Sequence, residues 1–203
     1  MPLVLATRNQ GKVREIAELL KGLPVAVRNL DEFPKAPALE EVGGSFVENA
    51  SLKALSAAQA TGCLALADDS GLEVEALGGR PGVLSARYAG EGADYPTMCR
   101  KVLAELAGVP GEGRRARFVC AVACVTLDAR HYEVRGEWWG HIALAPRGKG
   151  GFGYDPVFVP NGSTATVAEW PAAEKNEASH RARAGRALVA RLRREGALAD
   201  ARS

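Results

Sequence analysis

Nowhere in these 203 residues is there an apolar run of about eighteen, the length a membrane-crossing helix needs. Nor does a charged segment followed by an apolar one open the chain. The expectation is a cytoplasmic protein without a membrane partner. Cysteine is scarce: Cys63, Cys99, Cys120 and Cys124 form no C-x-x-C pair, so the usual spacing of zinc and redox sites is missing. Cys120 and Cys124 lie within a valine-rich segment, Phe118 to Val125, that favours a strand, where positions i and i+4 are about 13 Å apart. That distance excludes a disulfide or one shared metal. The thiols are read as small core residues in a reducing compartment. Internal repeats and low-complexity linkers are absent too, which points to one domain across 1–203.

What the chain does contain is 47% hydrophobic and 25% charged residues, the balance of a folded domain. The net charge of +2 is uneven, because Arg181, Arg183, Arg186, Arg191, Arg193, Arg194 and Arg202 outnumber Glu195 and Asp200 by five. The rest of the chain is slightly acidic. A solvated helix face accounts for the arginines, so no stable nucleic-acid partner is expected.

Leu3 to Ala6 and Cys63 to Ala67 are apolar on both parities, the pattern of strands covered on both faces. Val13, Ile16, Ala17 and Leu20 recur at helical spacing up to Gly22. Ser45 with Glu48 forms a capping box before a helix that Gly62 closes, and that helix places Asn49 and Lys53 on one face. Met98, Val102 and Leu106 mark a third helix. Arg117 to Leu127 and His131 to Ile142 read as a hairpin. Pro156 to Pro160 reads as a short or edge strand, and a last helix is expected from Ser179 to Glu195. The fold class is α/β with a mixed sheet.

Five groups of residues carry candidate chemistry. Thr7, Arg8, Asn9, Gln10, Gly11 and Lys12 join a buried strand to a helix start, where backbone N–H groups and the helix dipole suit a phosphate. The segment is not a Walker A loop, since Val13 follows Lys12. Asp68 and Asp69 close a strand, where α/β folds bind ligands, and adjacent carboxylates call for a cation. Mg²⁺, which takes hard oxygen ligands and bridges carboxylates to phosphates, is the natural candidate. If the strand persists, the two side chains face opposite sides and do not share one role. Glu40 and Glu41 are candidates for a further carboxylate. Phe152, Gly153, Tyr154 and Asp155 set aromatics among glycines, where a planar base can stack while Asp155 accepts a hydrogen bond. Lys175, His180 and Arg181 bring cations near a helix start.

In order along the chain, Ala6 to Lys12, Phe46 to Ala50, Ala67 to Leu72, Ser85 to Tyr88, Gly151 to Pro156 and Ser179 to Arg181 resemble motifs of the inosine/xanthosine triphosphate pyrophosphatase (Ham1-like) family. The resemblance implies an elongated mixed sheet flanked by helices in two lobes, a substrate cleft between them, and a homodimer. It implies Mg²⁺-dependent hydrolysis of ITP, dITP and XTP to the monophosphate and pyrophosphate. It assigns phosphate contacts to Thr7 through Lys12, Lys53 and Lys175, and metal duties to Glu40 and Asp69. Ser70, Phe152 through Asp155, Lys175, His180 and Arg181 would bind substrate. Asp69 is the implied base, with Asp68 as the alternative. Arg8 departs from a common glycine, and Leu84 from a common aromatic. The rival readings are a Maf-like nucleotide pyrophosphatase and a non-catalytic nucleotide or nucleic-acid binder.

Overall fold

A computed structural model describes residues 1–34, 36 and 42–197 of the chain. Six strands form one mixed sheet in the order β2-β1-β3-β4-β5-β6. They are β1 (Pro2–Leu5), β2 (Ala26–Asn29), β3 (Leu64–Val74), β4 (Arg115–Val125), β5 (His131–Ile142) and β6 (Phe158–Pro160). The helices are α1 (Gln10–Leu19), α2 (Phe46–Thr61), α3 (Tyr95–Glu105), α4 (Ala172–Ala178) and α5 (His180–Arg194). β1 runs parallel to β2 and β3, with Leu5 opposite Asn29 and Leu66, whereas β6 pairs antiparallel with β5. This is the mixed α/β sheet the sequence implied. Among the described residues no helix is long and apolar enough to cross a membrane.

The chain divides into two compact units. The first comprises Met1–Asp69, Cys120–Gly136 and Arg181–Ser203. Its core gathers Leu3 and Leu5 from β1, Leu64 and Leu66 from β3, Ile16 from α1 and Leu188 and Leu192 from α5. Every residue from Leu3 to Ala6 is buried, as a strand apolar on both parities requires. α1 starts where Asn9 turns its side chain onto the backbone, Oδ1 accepting from Gly11 N at 2.9 Å and Lys12 N at 3.3 Å. α2 is capped by Ser45, whose Oγ accepts from Glu48 N at 3.2 Å. The reciprocal arm differs from a capping box, because Glu48 takes the N–H of Gly44 instead, at 2.8 Å. Gly62 ends the helix at φ 62°, a left-handed conformation that glycine adopts without strain.

The second unit comprises Ser70–Val119 and Glu137–His180. Leu72 and Val74 of β3, Met98 and Val102 of α3, Phe118 of β4, Trp138 of β5 and Phe158 form its core. β6 is three residues long and lies at the sheet edge, as its bracketing prolines foretold. Two secondary-structure elements also depart from the sequence reading. α4, after Pro171, had no apolar periodicity to announce it. β3 does not stop at Asp68-Asp69 but continues through them to Val74. Asp-Asp-Ser-Gly has turn composition, and the strand persists because buried cations receive both carboxylates. All four cysteines are free thiols, three of them buried, whereas Cys63 is only half-buried and so departs from the core assignment.

Candidate active site

Strand geometry sends successive side chains to opposite faces, and β3 does this with two carboxylates in the first unit. Asp68 is 0% exposed. Its Oδ2 receives Lys12 Nζ at 3.2 Å and Arg181 Nη2 at 3.1 Å. Arg181 also pairs with Glu15, so α1 and α5 each place one charge on either side of this contact. Burial opposes ionisation of Asp68, but the nearby Lys12, Arg181 and Lys53 outweigh it and hold the carboxyl well below the usual carboxylate range. The same arrangement keeps Arg181 charged despite its burial, with Asp68 the main compensating charge. The Cys120 thiol, 3.9 Å from Asp68, is pushed up to about 12 by burial and by that carboxylate, which leaves it neutral.

Asp69 turns to the other side of the strand and meets α2. Its Oδ1 accepts from Lys53 Nζ at 3.1 Å and its Oδ2 from Asn49 Nδ2 at 3.0 Å. Asn49 and Lys53 are one helical turn apart on the same face, the placement their spacing predicted. Asn49 is held in turn by Gly43 N, which donates to its Oδ1 at 2.7 Å. Asp69 is 3% exposed and Lys53 5%. The carboxylates are hard oxygen donors of the kind a divalent cation such as Mg²⁺ takes. Among the described residues no three His, Cys, Asp or Glu side chains gather into a full metal cage. Glu40, expected as a metal ligand, lies outside the described residues, as does Glu41.

A second cluster belongs to the second unit. Lys175 Nζ donates to Asp155 Oδ2 at 2.6 Å and sits 4.2 Å from the centroid of the Phe152 ring. Asp155 Oδ2 also accepts from Phe152 N at 2.8 Å, which ties the loop onto its own carboxylate. Gly151 makes this possible. Its φ is +71°, and a Cβ there would stand 2.0 Å from Asp155 Oδ2. Tyr154 is buried and its hydroxyl donates to Ser85 O at 2.8 Å, so it anchors the loop from beneath. Cys99 Sγ lies 3.5 Å from Gly153 O. His180 is buried with its ring stacked on Phe118, centroids 4.8 Å apart.

The remaining expected residues are placed as follows. Thr7 Oγ1 accepts from Asn9 N at 3.2 Å. Arg8 points to the surface, 3.3 Å from Asp31. Gln10 opens α1. The Gly11 and Lys12 N–H groups cap onto Asn9. Ser70 follows Asp69 on β3, on the strand parity of Asp68. Thus Lys12, Asp68 and Arg181 converge, Lys53 and Asp69 converge, and Phe152, Asp155 and Lys175 converge. Sequence reasoning missed Glu15, the second partner of Arg181, and Tyr95, whose ring lies 6.3 Å from that of Phe152. Glu15 stands three residues after Lys12 on a helix, a spacing that places both on one face.

The family model described as the Ham1 family matches residues 3–191. A dITP/XTP pyrophosphatase of Nitratidesulfovibrio vulgaris is 51% identical over 193 residues, 92% of this chain and 93% of the relative. One of Geobacter sulfurreducens is 52% identical over 182 residues, 90% of this chain and 92% of the relative. Among solved structures, a HAM1 protein from Coxiella burnetii superposes with a TM-score of 0.87 at 42% identity, covering 96% of this chain and 99% of that one. With nearly the whole length matched in sequence and in fold, this chain belongs to the Ham1 family.

Proposed function

We propose that this chain is a Mg²⁺-dependent pyrophosphatase that hydrolyses ITP, dITP and XTP to the nucleoside monophosphate and pyrophosphate, cleansing the nucleotide pool of deaminated purines. The observation that carries the reading is the buried pair Asp68-Asp69, each carboxylate on its own face of β3 and each met by a cation. Relatives that carry the name dITP/XTP pyrophosphatase support the substrate class. A triphosphate brings about four negative charges, so its hydrolysis depends on neutralising charge and aligning a water with phosphorus. Lys12, Lys53 and the N-terminus of α1 supply positive charge to the phosphates. Glu40 and Asp69 would hold the Mg²⁺, whose chemistry is to polarise phosphoryl oxygens.

Asp69 is the base in this reading. Asp68 is held ionised in a pair with Lys12 and Arg181 and has a low affinity for a proton, which suits a residue that positions cations. Asp69 orients a water toward the α-phosphorus and takes its proton. The P–O bond to the bridging oxygen breaks, and pyrophosphate leaves with that oxygen. Phe152 through Asp155 would receive the base. Lys175 lies against the Phe152 ring and pairs with Asp155, which puts its charge beside the loop that would receive the base and in reach of a bound nucleotide's polar groups. Hypoxanthine and xanthine carry a 6-oxo acceptor and an N1 proton where adenine presents the reverse, so matched polar groups reject ATP by about 10⁴-fold. His180 and Arg181 complete the substrate contacts. A homodimer in the cytoplasm is part of the same proposal.

The test is pyrophosphate release from ITP, XTP, ATP, GTP, UTP and dTTP, with and without Mg²⁺. Release from ITP and XTP only, and only with the metal, is the expected result. A preference for UTP or dTTP would favour the Maf-like alternative, and no release from any nucleotide would favour a binding protein.

A further inference from the structure

The proposed chemistry gives no task to Ser85 through Tyr88, although Ser85 is buried and bonded to three other parts of the second unit. Its Oγ accepts from Leu72 N of β3 at 2.9 Å and donates to Gly82 O at 2.6 Å. Its carbonyl oxygen accepts from the Tyr154 hydroxyl at 2.8 Å. β3 passes so close to this turn that a Cβ at Gly71 would stand 2.3 Å from Ser85 Oγ and 2.6 Å from Gly82 O. Only glycine fits there, which accounts for the last residue of Asp68-Asp69-Ser70-Gly71. The motif also reaches the Phe152 to Asp155 loop by way of α3. The Tyr88 hydroxyl donates to Glu105 at 2.5 Å and the Tyr88 carbonyl accepts from Lys101 Nζ at 2.7 Å, while Cys99 on the same helix donates to Gly153 O at 3.5 Å.

A buried phenol needs an acceptor inside the protein, and Ser85 O is the one Tyr154 finds. Burial holds the Tyr154 phenol above its usual range, so it stays protonated and donating. The acceptor is a backbone atom of a short 3-10 turn, Gly82–Arg87, and a backbone atom is only as well placed as the turn that carries it. The Ser85 hydroxyl places this one, because it closes the turn on Gly82 and fastens it to β3 at once. We propose that Ser85 is a positioning residue for the purine: its hydroxyl fixes the turn on β3, and its carbonyl, so fixed, holds the Phe152 to Asp155 loop in place through Tyr154. This rests on the reading that the loop receives the base. Ser85 acts only through Tyr154, so it bears on affinity for the base and leaves the phosphates and the attacking water alone.

The experiment compares wild type, Ser85→Ala, Tyr154→Phe and the double variant in steady-state kinetics on ITP with Mg²⁺, using inorganic tripolyphosphate as a competing ligand without a base. Each single change removes one hydroxyl from the same chain of hydrogen bonds and should raise KM about five- to tenfold, with kcat within about twofold. In the double variant the chain is already broken, so its KM should not exceed that of the worse single variant. The inhibition constant of tripolyphosphate should not move in any of the three. A wild-type KM in Ser85→Ala overturns the proposal. So does a double variant whose KM rises by the product of the two single effects, because residues that act through one another are not additive. A fall in kcat, or a parallel weakening of tripolyphosphate, marks a general loosening of the fold and overturns it as well. Tyr154→Phe keeps the ring and its packing, so it decides the case if Ser85→Ala does not fold: a raised KM supports the proposal and a wild-type KM overturns it. Wild type inactive on ITP and XTP sinks the functional reading and the positioning role together. An active wild type in which Gly151→Ala raises KM and Ser85→Ala does not sinks the positioning role alone.

Discussion

Asparagine in place of Asp68 keeps the shape of the side chain and removes its charge. In the folded protein this carboxylate is 0% exposed and faces Lys12 Nζ at 3.2 Å and Arg181 Nη2 at 3.1 Å. Taking away one partner of a buried ion pair strands the other, at a cost of about 3–5 kcal/mol. Arg181 retains Glu15, and the amide oxygen of asparagine still accepts a hydrogen bond. The expected loss is therefore at the lower end, about 3 kcal/mol. For a chain of this size each kcal/mol moves Tm by about 2–4 °C, so calorimetry near neutral pH should show a drop of about 6–12 °C. The pH dependence has a defined sign. Burial works against the charged form of Asp68, but Lys12, Arg181 and Lys53 prevail and depress its folded pKa. Its contribution is thus complete above the unfolded value of about 3.9 and is lost as pH falls through the folded one. The gap in Tm between wild type and variant should narrow in acid. Equal Tm values near neutrality, or a gap that widens on acidification, would refute the reasoning.

Asp69→Asn strands the buried Lys53 and should lower Tm by an amount comparable to Asp68→Asn, and at a temperature where the variant is folded kcat on ITP should fall about 10²–10⁴-fold with loss of the proposed base. Near-wild-type turnover would remove Asp69 from the chemistry. Gly151→Ala places a Cβ 2.0 Å from Asp155 Oδ2 at a φ of +71°. Strain of at least about 1–2 kcal/mol is expected to displace the loop and raise KM for ITP about tenfold, and an unaltered KM would dissociate that loop from substrate. Alkylation of the native protein near neutral pH should label Cys63 first. Burial pushes Cys99 up to about 11 and both Cys120 and Cys124 to about 12, so their modification, followed by mass spectrometry, should await unfolding.

Much of the site could be read from residue spacing. Asn49 and Lys53 are four apart on a helix announced by Ser45 and Gly62, and they meet the same carboxylate. Strand parity separated Asp68 from Asp69 before any partner was known. The length of β3 could not be read, because Asp68 to Gly71 has turn composition and only tertiary contacts supply the cations that let a strand bury it. α4 was hidden for a related reason: of its seven residues only Lys175 is buried, so no apolar stripe marks it. Tyr95 sits in a helix whose apolar stripe was read only from Met98 onward, and its nearness to Phe152 depends on a fold in which residues more than fifty positions apart become neighbours. The resemblance supplied what periodicity could not, namely the reaction and its substrate class.

The most direct test of the account is the fate of the attacking oxygen. Hydrolysis of ITP in isotopically labelled water, with products resolved by mass spectrometry, should place the label in inosine monophosphate and leave pyrophosphate unlabelled, because the proposed mechanism has a water oriented by Asp69 attack the α-phosphorus. Label in pyrophosphate, or orthophosphate as the first product, would show attack at another phosphorus and contradict the mechanism.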